Sequence, residues 1–183
     1  MSAYYLGIDP GFTGAVAVLH EFENENVNQM MTTVLFHDAP VIKIMRKKKK
    51  GAKAAGFRQE FDLQGMLKIL RRYAGPHTRG FTVFAAIEDV GTMPEQGISS
   101  AFRFGQGFGY WEMALAALDI PYRKVRPEVW KRRMMEGMGA KEKGASILRA
   151  LQLHPTLTLN RKKDHGRADA LLIAEHARYD MAG

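Results

Sequence analysis

Residues 5–19 read YLGIDPGFTGAVAVL. Tyr5, Leu6 and Ile8 are strand formers, Pro10-Gly11 is a turn pair and the apolar run resumes from Ala15 to Leu19. The stretch therefore predicts two antiparallel strands joined by a tight, glycine-rich connection. Asp9 is the anomaly. A carboxylate at the end of a buried strand costs free energy unless a cation or hydrogen-bond donor meets it, and a metal ion is the strongest candidate. The plainer alternative is that Asp9 caps the turn through its own backbone. Partner acids elsewhere in the chain decide between the two.

The bulk composition narrows the partners. With 183 residues and 46% hydrophobic content, the chain can bury one full core and is too short for two ordinary ones, so a single domain over residues 1–183 is expected. A net charge of +8, from 27 Lys plus Arg against 19 Asp plus Glu, points to polyanions, with nucleic acid ahead of anionic membrane. The absence of cysteine excludes disulfides, thiolate nucleophiles and thiolate-bound zinc, leaving carboxylates and His as metal ligands. No apolar run approaches the roughly 18 residues of a membrane span, and the N-terminus lacks a signal-peptide layout. A soluble protein of the cytoplasm, or of the host cytoplasm if viral, is expected.

Beyond the first hairpin, Thr32 to Phe36 predicts a third strand, and the lysine-framed block from Lys43 to Lys53, including Lys47, Lys48 and Lys49, reads as a mobile basic loop. Leu63, Met66, Leu67 and Leu70 recur at helical spacing, with Asp62 placed to cap and Gly75-Pro76 to terminate. Phe81 to Ile87 is a short apolar run of the kind buried on both faces, expected to be central and parallel to the first strand. Residues 93–109, MPEQGISSAFRFGQGFG, read as a long, flexible, aromatic segment. Helical spacing of Phe104, Phe108, Trp111, Leu115 and Leu118 follows, then a strand at Tyr122–Val125, a short helix near Val129, a further one over Lys141 to Leu151, and a last helix from about Arg167 to Tyr179. Three strands in a meander followed by α/β crossovers imply an α/β layer fold on a mixed sheet.

Glu88 ends a buried strand as Asp9 does, so if those strands are parallel neighbours both acids emerge at one sheet edge. Asp164 and Asp169 flank the start of the last helix and can bring further negative charge there. Such a cluster repels itself unless divalent cations offset it, and oxygen ligands without sulfur select Mg2+ or Mn2+. Two ions about 3.5–4 Å apart could activate water and stabilise the leaving oxygen of a phosphodiester displacement. Asp164 and Asp169 cannot share a face if both are helical, whereas His165 and Asp169, four residues apart, can. Asp164 thus needs to lie in the entry turn, with His165 its rival as ligand or proton carrier. For Glu88 the plain alternative is an exposed strand end, and for Asp169 a first-turn acid favoured by the helix dipole.

YLGIDPGFTGAVAV, IEDV and KKDHGRADALLIA, in that order, resemble the RuvC-type Holliday junction resolvases of the RNase H-like superfamily, most closely their phage and organellar branch. The resemblance implies a central five-stranded mixed sheet flanked by helices on both faces. It also implies a homodimer that binds a four-way DNA junction and makes paired symmetric nicks with Mg2+, two ions per site, leaving 5′-phosphate and 3′-hydroxyl ends. By motif position Asp9, Glu88 and Asp169 match the family acids. The fourth ligand falls on Asp164 or His165, and Asp164 is taken here. The family's bacterial members place it where this chain has Gly166. Lys131 resembles the family lysine after a Pro-x-x-Val segment, implying charge neutralisation near the site.

Lys131, Arg132 and Arg133, then Lys141 and Lys143, then Arg161 to Lys163, are expected to contact DNA phosphates, which positions a strand without reading its sequence. Ordinary surface charge is the alternative for each. Segments like residues 93–109 enter the junction centre in the family, so Phe102 or Phe104, with Arg103 between them, is a candidate to stack on an unpaired base. Three other functions compete. The Asp9–Gly14 turn also resembles the first phosphate loop of actin-like ATPases and sugar kinases, but those need a second domain that 183 residues cannot supply, and no nucleotide cofactor is expected. The others are an RNase H-like nuclease of flaps or RNA:DNA hybrids, and a non-catalytic junction binder, against which the filled acid positions argue.

Overall fold

A computed structural model of the chain describes residues 2–46, 56–75, 78–89, 91, 97–138 and 144–182. In chain order it contains β1 (Ser2–Ile8), β2 (Ala15–Asn24), β3 (Gln29–Asp38), β4 (Val41–Met45), β5 (Phe57–Phe61), α1 (Leu63–Leu70), β6 (Phe81–Glu88), α2 (Ile98–Ala117), β7 (Tyr122–Val125), α3 (Pro127–Met134), α4 (Ala145–Leu153) and α5 (Asp164–Ala182). The central sheet is five-stranded in the order β3-β2-β1-β6-β7. The first three strands form the antiparallel meander, while β6 lies parallel to β1 with Ile8 opposite Ile87.

Side-chain alternation divides the core between two faces. On one, Leu6, Ile8, Val16, Val18, Ala85 and Ile87 pack with Met66 and Leu70 of α1 and with Trp111 and Leu115 of α2. On the other, Ala15, Ala17 and Leu19 meet Ala170, Leu171 and Ala174 of α5, while Ala86 and Val125 meet Trp130, Leu172 and Ile173. Helices therefore cover both faces. Gly7 shows how close this packing is: a Cβ there would lie 2.0 Å from the Ala170 carbonyl oxygen and 2.3 Å from the Ala174 nitrogen. Only a glycine lets β1 pass so near the α5 backbone.

Two expectations need correction. The basic block is not simply a loop, because Val41–Met45 and Phe57–Phe61 pair antiparallel as a separate two-stranded hairpin, with Val41 opposite Phe61 and Met45 opposite Phe57. Lys47, Lys48 and Lys49 lie outside the described residues, as do Lys141 and Lys143. The glycine-rich stretch is also not one flexible segment, since α2 begins at Ile98 and runs through Gly105, Gly107 and Gly109. Glycine weakens a helix, yet Gly107 is required by contact: a Cβ there would meet the Pro10 carbonyl oxygen and the Phe61 ring at 2.5 Å.

Candidate active site

Asp9 follows the last residue of β1 and Glu88 is the last residue of β6. Because Ile8 and Ile87 point toward α1 and α2, the next residue on each strand points to the opposite face, where α3 and α5 lie. The parallel register places the two acids at the same end of adjacent strands. Asp169, on the second turn of α5, completes the group: the carboxyls of Glu88 and Asp169 both act electrostatically on Asp9, and Lys131 acts on all three.

Each carboxyl is pushed toward its neutral form. Asp9 is raised to about 7, above all by burial and further by the neighbouring charges of Glu88 and Asp169, with the Gly11 N–H and Lys131 partly offsetting these. The Gly11 amide donates to Asp9 Oδ1 at 3.2 Å, so the turn-capping role of Asp9 exists beside its place in the cluster. Glu88 is buried and raised by desolvation, opposed first by a hydrogen bond from Trp130 Nε1 to Oε1 at 2.9 Å. Asp169 is likewise raised by burial, opposed by a hydrogen bond with the Ser146 side chain and by Lys131 and His165. Lys131 Nζ lies 5.1 Å from the centroid of the Trp130 ring, which sets its stem against a fully buried indole.

Trp130 and Ser146 are partners that sequence reasoning missed. Nothing in the sequence brings Trp130 to Glu88 or α4 beside the start of α5. Asp164 does not lie in the entry turn where the expected set requires it. The helix begins at Asp164 itself, so Asp164 and Asp169 are both helical and face apart. Asp164 accepts from the Arg161 amide and from Arg161 Nε, both at 2.7 Å, and Arg167 Nε lies 3.8 Å away. These partners hold its carboxyl below the usual range against the effect of its burial. His165, exposed and one turn ahead of Asp169, is the residue that acts on the Asp169 carboxyl. Gly166 cannot contribute a side chain, because a Cβ there would fall 2.2 Å from the Thr13 carbonyl oxygen.

The expected basic and aromatic residues divide. Arg103 and Phe104 line a cavity of about 600 Å³ that opens beside Asp9. Phe102 is exposed and lines a second cavity next to it. Lys131 and Arg132 are exposed on α3. Lys163 is paired with Asp38, which also binds Arg161 Nη2 at 3.0 Å and Arg167 Nε at 2.6 Å. His37 meets the Tyr73 hydroxyl at 2.7 Å and His154 meets Glu175 at 2.6 Å.

Among the described residues, no three Asp, Glu or His side chains already close into a metal-binding group. The donor chemistry nonetheless fits a hard divalent cation: three carboxyls at one sheet edge, each raised above its ordinary pKa chiefly by burial, with an imidazole alongside.

No protein-family model and no curated protein matches the chain. Solved structures do. The Thermus thermophilus RuvC structure shares 18% identity at a TM-score of 0.57, the match covering 100% of this chain and 97% of that one. T. thermophilus RuvC in complex with a Holliday junction substrate shares 17% at a TM-score of 0.55, over 100% and 96% of the two chains. A fowlpox virus Holliday junction resolvase aligns over 99% of both chains at 14% identity and a TM-score of 0.44. The two T. thermophilus structures establish the fold: a RuvC-type, RNase H-like mixed sheet with helices on both sides.

Proposed function

We propose that this chain is a structure-specific endodeoxyribonuclease that resolves four-way DNA junctions by paired symmetric nicks. The observation that carries the reading is the convergence of Asp9, Glu88 and Asp169, from three separate elements, into one desolvated cluster at the rim of a RuvC-type sheet. A buried acid cluster of this kind opposes stability unless it serves a cation. Asp9, Glu88 and Asp169 are the residues to hold Mg2+, or Mn2+ in its place, with His165 rather than Asp164 beside them as fourth ligand or proton carrier. When bound, a pair of such ions supplies Lewis-acid activation of water and stabilisation of the leaving oxygen in phosphodiester hydrolysis.

The protein's own groups do the rest. Trp130 orients Glu88, and Ser146 orients Asp169. Lys131 places positive charge beside the acids, suited to the charge that develops on the phosphate. Arg103, Phe104 and the exposed Phe102 line the cavities next to Asp9, where a DNA strand would pass. Arg132 and Lys163 extend the basic surface, Lys163 on release from Asp38. The described residues of one chain carry one such acid cluster, so paired nicks call for two copies and hence a homodimer. The membership of the phage and organellar branch belongs to this proposal and rests on the three sequence motifs.

The test is to incubate the protein in Mg2+ with labelled four-way junction, duplex, flap and RNA:DNA hybrid. Symmetric nicks confined to the junction are expected. Cleavage of the hybrid or flap in preference to the junction overturns the substrate assignment, and no cleavage of any substrate overturns the nuclease.

A further inference from the structure

Strand β6 is paired unevenly. On one side β1 accompanies it from Phe81 to Ile87, whereas on the other β7 accompanies only Ala85 to Glu88. The Ala85 N–H donates to the Pro121 carbonyl at 2.9 Å, so Ala85 and every second residue before it, Val83 and Phe81, turn N–H and C=O toward the side of β7. The ladder stops because Pro121, next in line to donate to the Val83 carbonyl, has no N–H. Among the described residues no other group takes up the backbone of Phe81 and Val83 on that side. We propose that this open edge takes an extended segment of a partner protein as an added strand, an apolar stretch that carries a lysine or arginine. The inference is independent of the nuclease reading.

The edge opens into a cavity of about 600 Å³ that Phe81, Thr82, Val83 and Phe84 line along one side. Leu118 and Ile120 flank it from the α2 side of the sheet and Met181, near the end of α5, from the other, so the slot lies in the plane of the sheet. Val83 packs toward the first core and Phe84 toward the opposite one. An added strand therefore meets apolar surface on both faces, which selects successive apolar residues rather than alternating ones. Phe81 and Met181 are exposed in the absence of such a strand. An exposed edge with apolar flanks invites strand addition, in which main-chain hydrogen bonds give affinity and side-chain pockets give specificity.

Charge decides the class of partner. None of the residues lining the slot is Lys or Arg, and Asp119 is the one acid among them. Asp119 is exposed and forms no ion pair among the described residues, in a chain whose net charge of +8 elsewhere repels cations. The slot thus favours a basic residue on the incoming segment and disfavours a phosphate backbone. Val83 lies five residues before Glu88, roughly 16 Å along the strand, so a peptide here and a nucleic acid at the acid cluster do not compete for space.

The experiment uses the full chain and two capped, fluorescein-labelled hexapeptides, each of four alternating valines and leucines with lysine and serine at opposite ends, in either order. Binding is read by fluorescence polarisation. At least one peptide is expected to bind, and its counterpart with glutamate in place of lysine to bind more weakly. N-methylation of alternate peptide bonds separates strand addition from simple apolar docking: one alternating set weakens binding about tenfold or more, as loss of two hydrogen bonds would, and the other leaves it within about twofold. The peptide also slows amide hydrogen exchange at Phe81 and Val83, followed by NMR. Asp119→Asn, which suits the positive φ of 52° at that residue, weakens the lysine peptide about two- to fivefold and removes its advantage over the glutamate one. No binding up to about 1 mM, equal loss from both N-methylated sets, or protection confined to other amides overturns the proposal. Protection of the two amides that grows with protein concentration alone assigns the edge to a second copy, and protection by four-way junction DNA assigns it to nucleic acid; either result overturns the peptide.

Discussion

At pH 8 and without divalent cations, Asp9→Asn should make the protein more stable. The Asp9 carboxyl keeps some surface but lies among protein atoms and two other acids, and its pKa is raised from 3.8 to about 7. A group whose folded pKa exceeds its unfolded value contributes stability that is fully present below the unfolded value and lost as pH rises through the folded one. The window here is pH 3.8 to 7. At about 1.36 kcal/mol per pKa unit, and discounted for the surface Asp9 retains, ionisation costs the fold about 2–4 kcal/mol at pH 8. Asparagine keeps an oxygen for the Gly11 amide, does not ionise and escapes that loss. For a chain of this size the gain corresponds to roughly 5–15 °C in melting temperature. Thermal melts followed by circular dichroism at pH 4 and pH 8 in chelator should show the two proteins converging at the acid end. Adding Mg2+ should then raise the parent and leave the variant nearly unmoved, since an ion that binds only the folded state stabilises it by mass action. Parallel pH profiles, or equal responses to Mg2+, would refute the placement of Asp9 in a desolvated, cation-seeking cluster.

Further outcomes follow from the same geometry. Trp130→Phe removes the bond to buried Glu88, worth about 1.5–3 kcal/mol to a charged acceptor, so junction cleavage should fall about tenfold or more; the stability deficit, measured by urea unfolding, should be small in acid and grow only as pH rises through the raised folded-state pKa of Glu88, above its ordinary value. His165→Ala should reduce cleavage at least about tenfold with stability changed by less than about 0.5 kcal/mol. Asp164→Asn should do the reverse, losing about 1.5–3 kcal/mol of stability while cleavage of the folded fraction is kept. Gly7→Ala should cost about 3 kcal/mol or more in chemical denaturation, because its Cβ would meet the α5 backbone at 2.0 Å and no side-chain rotation relieves that.

Strand alternation made much of this legible. Val16 and Val18 fall to one core and Ala15, Ala17 and Leu19 to the other, as period-two patterning requires. The acids at the ends of β1 and β6 were visible as charges closing apolar runs, and their meeting followed once those strands were parallel neighbours. What escaped depended on contacts between distant segments. The hairpin arms VIKIM and FRQEF flank a lysine block whose charge dominates any window drawn across them. The start of α2 was hidden because Gly105, Gly107 and Gly109 argue against a helix, and Phe61 and Pro10, which require Gly107, are far away in sequence. The choice between Asp164 and His165 turned on whether the helix includes residue 164. A helix starting at Arg167, three residues later, leaves Asp164 in the entry turn, as the expected set requires.

The β1–β2 turn explains why the site is built where it is. Gly107 brings α2 onto Pro10, and Gly166 brings α5 onto Thr13, each so close that a single methyl group would collide with backbone. Both glycines contact the loop whose first residue is Asp9. Helix α2 carries Arg103 and Phe104 into the cavity beside that acid, and α5 carries His165 and Asp169 to it. Asp38, at the end of β3, binds Arg161, Lys163 and Arg167 and so ties the entry of α5 to the sheet from the other side. The acids themselves repel one another, so their positions must be imposed by contacts that do not involve them. Backbone approaches through glycine at one end and the Asp38 ion pairs at the other supply that constraint, which is why the cluster can remain assembled although burial raises the pKa of each of its carboxyls.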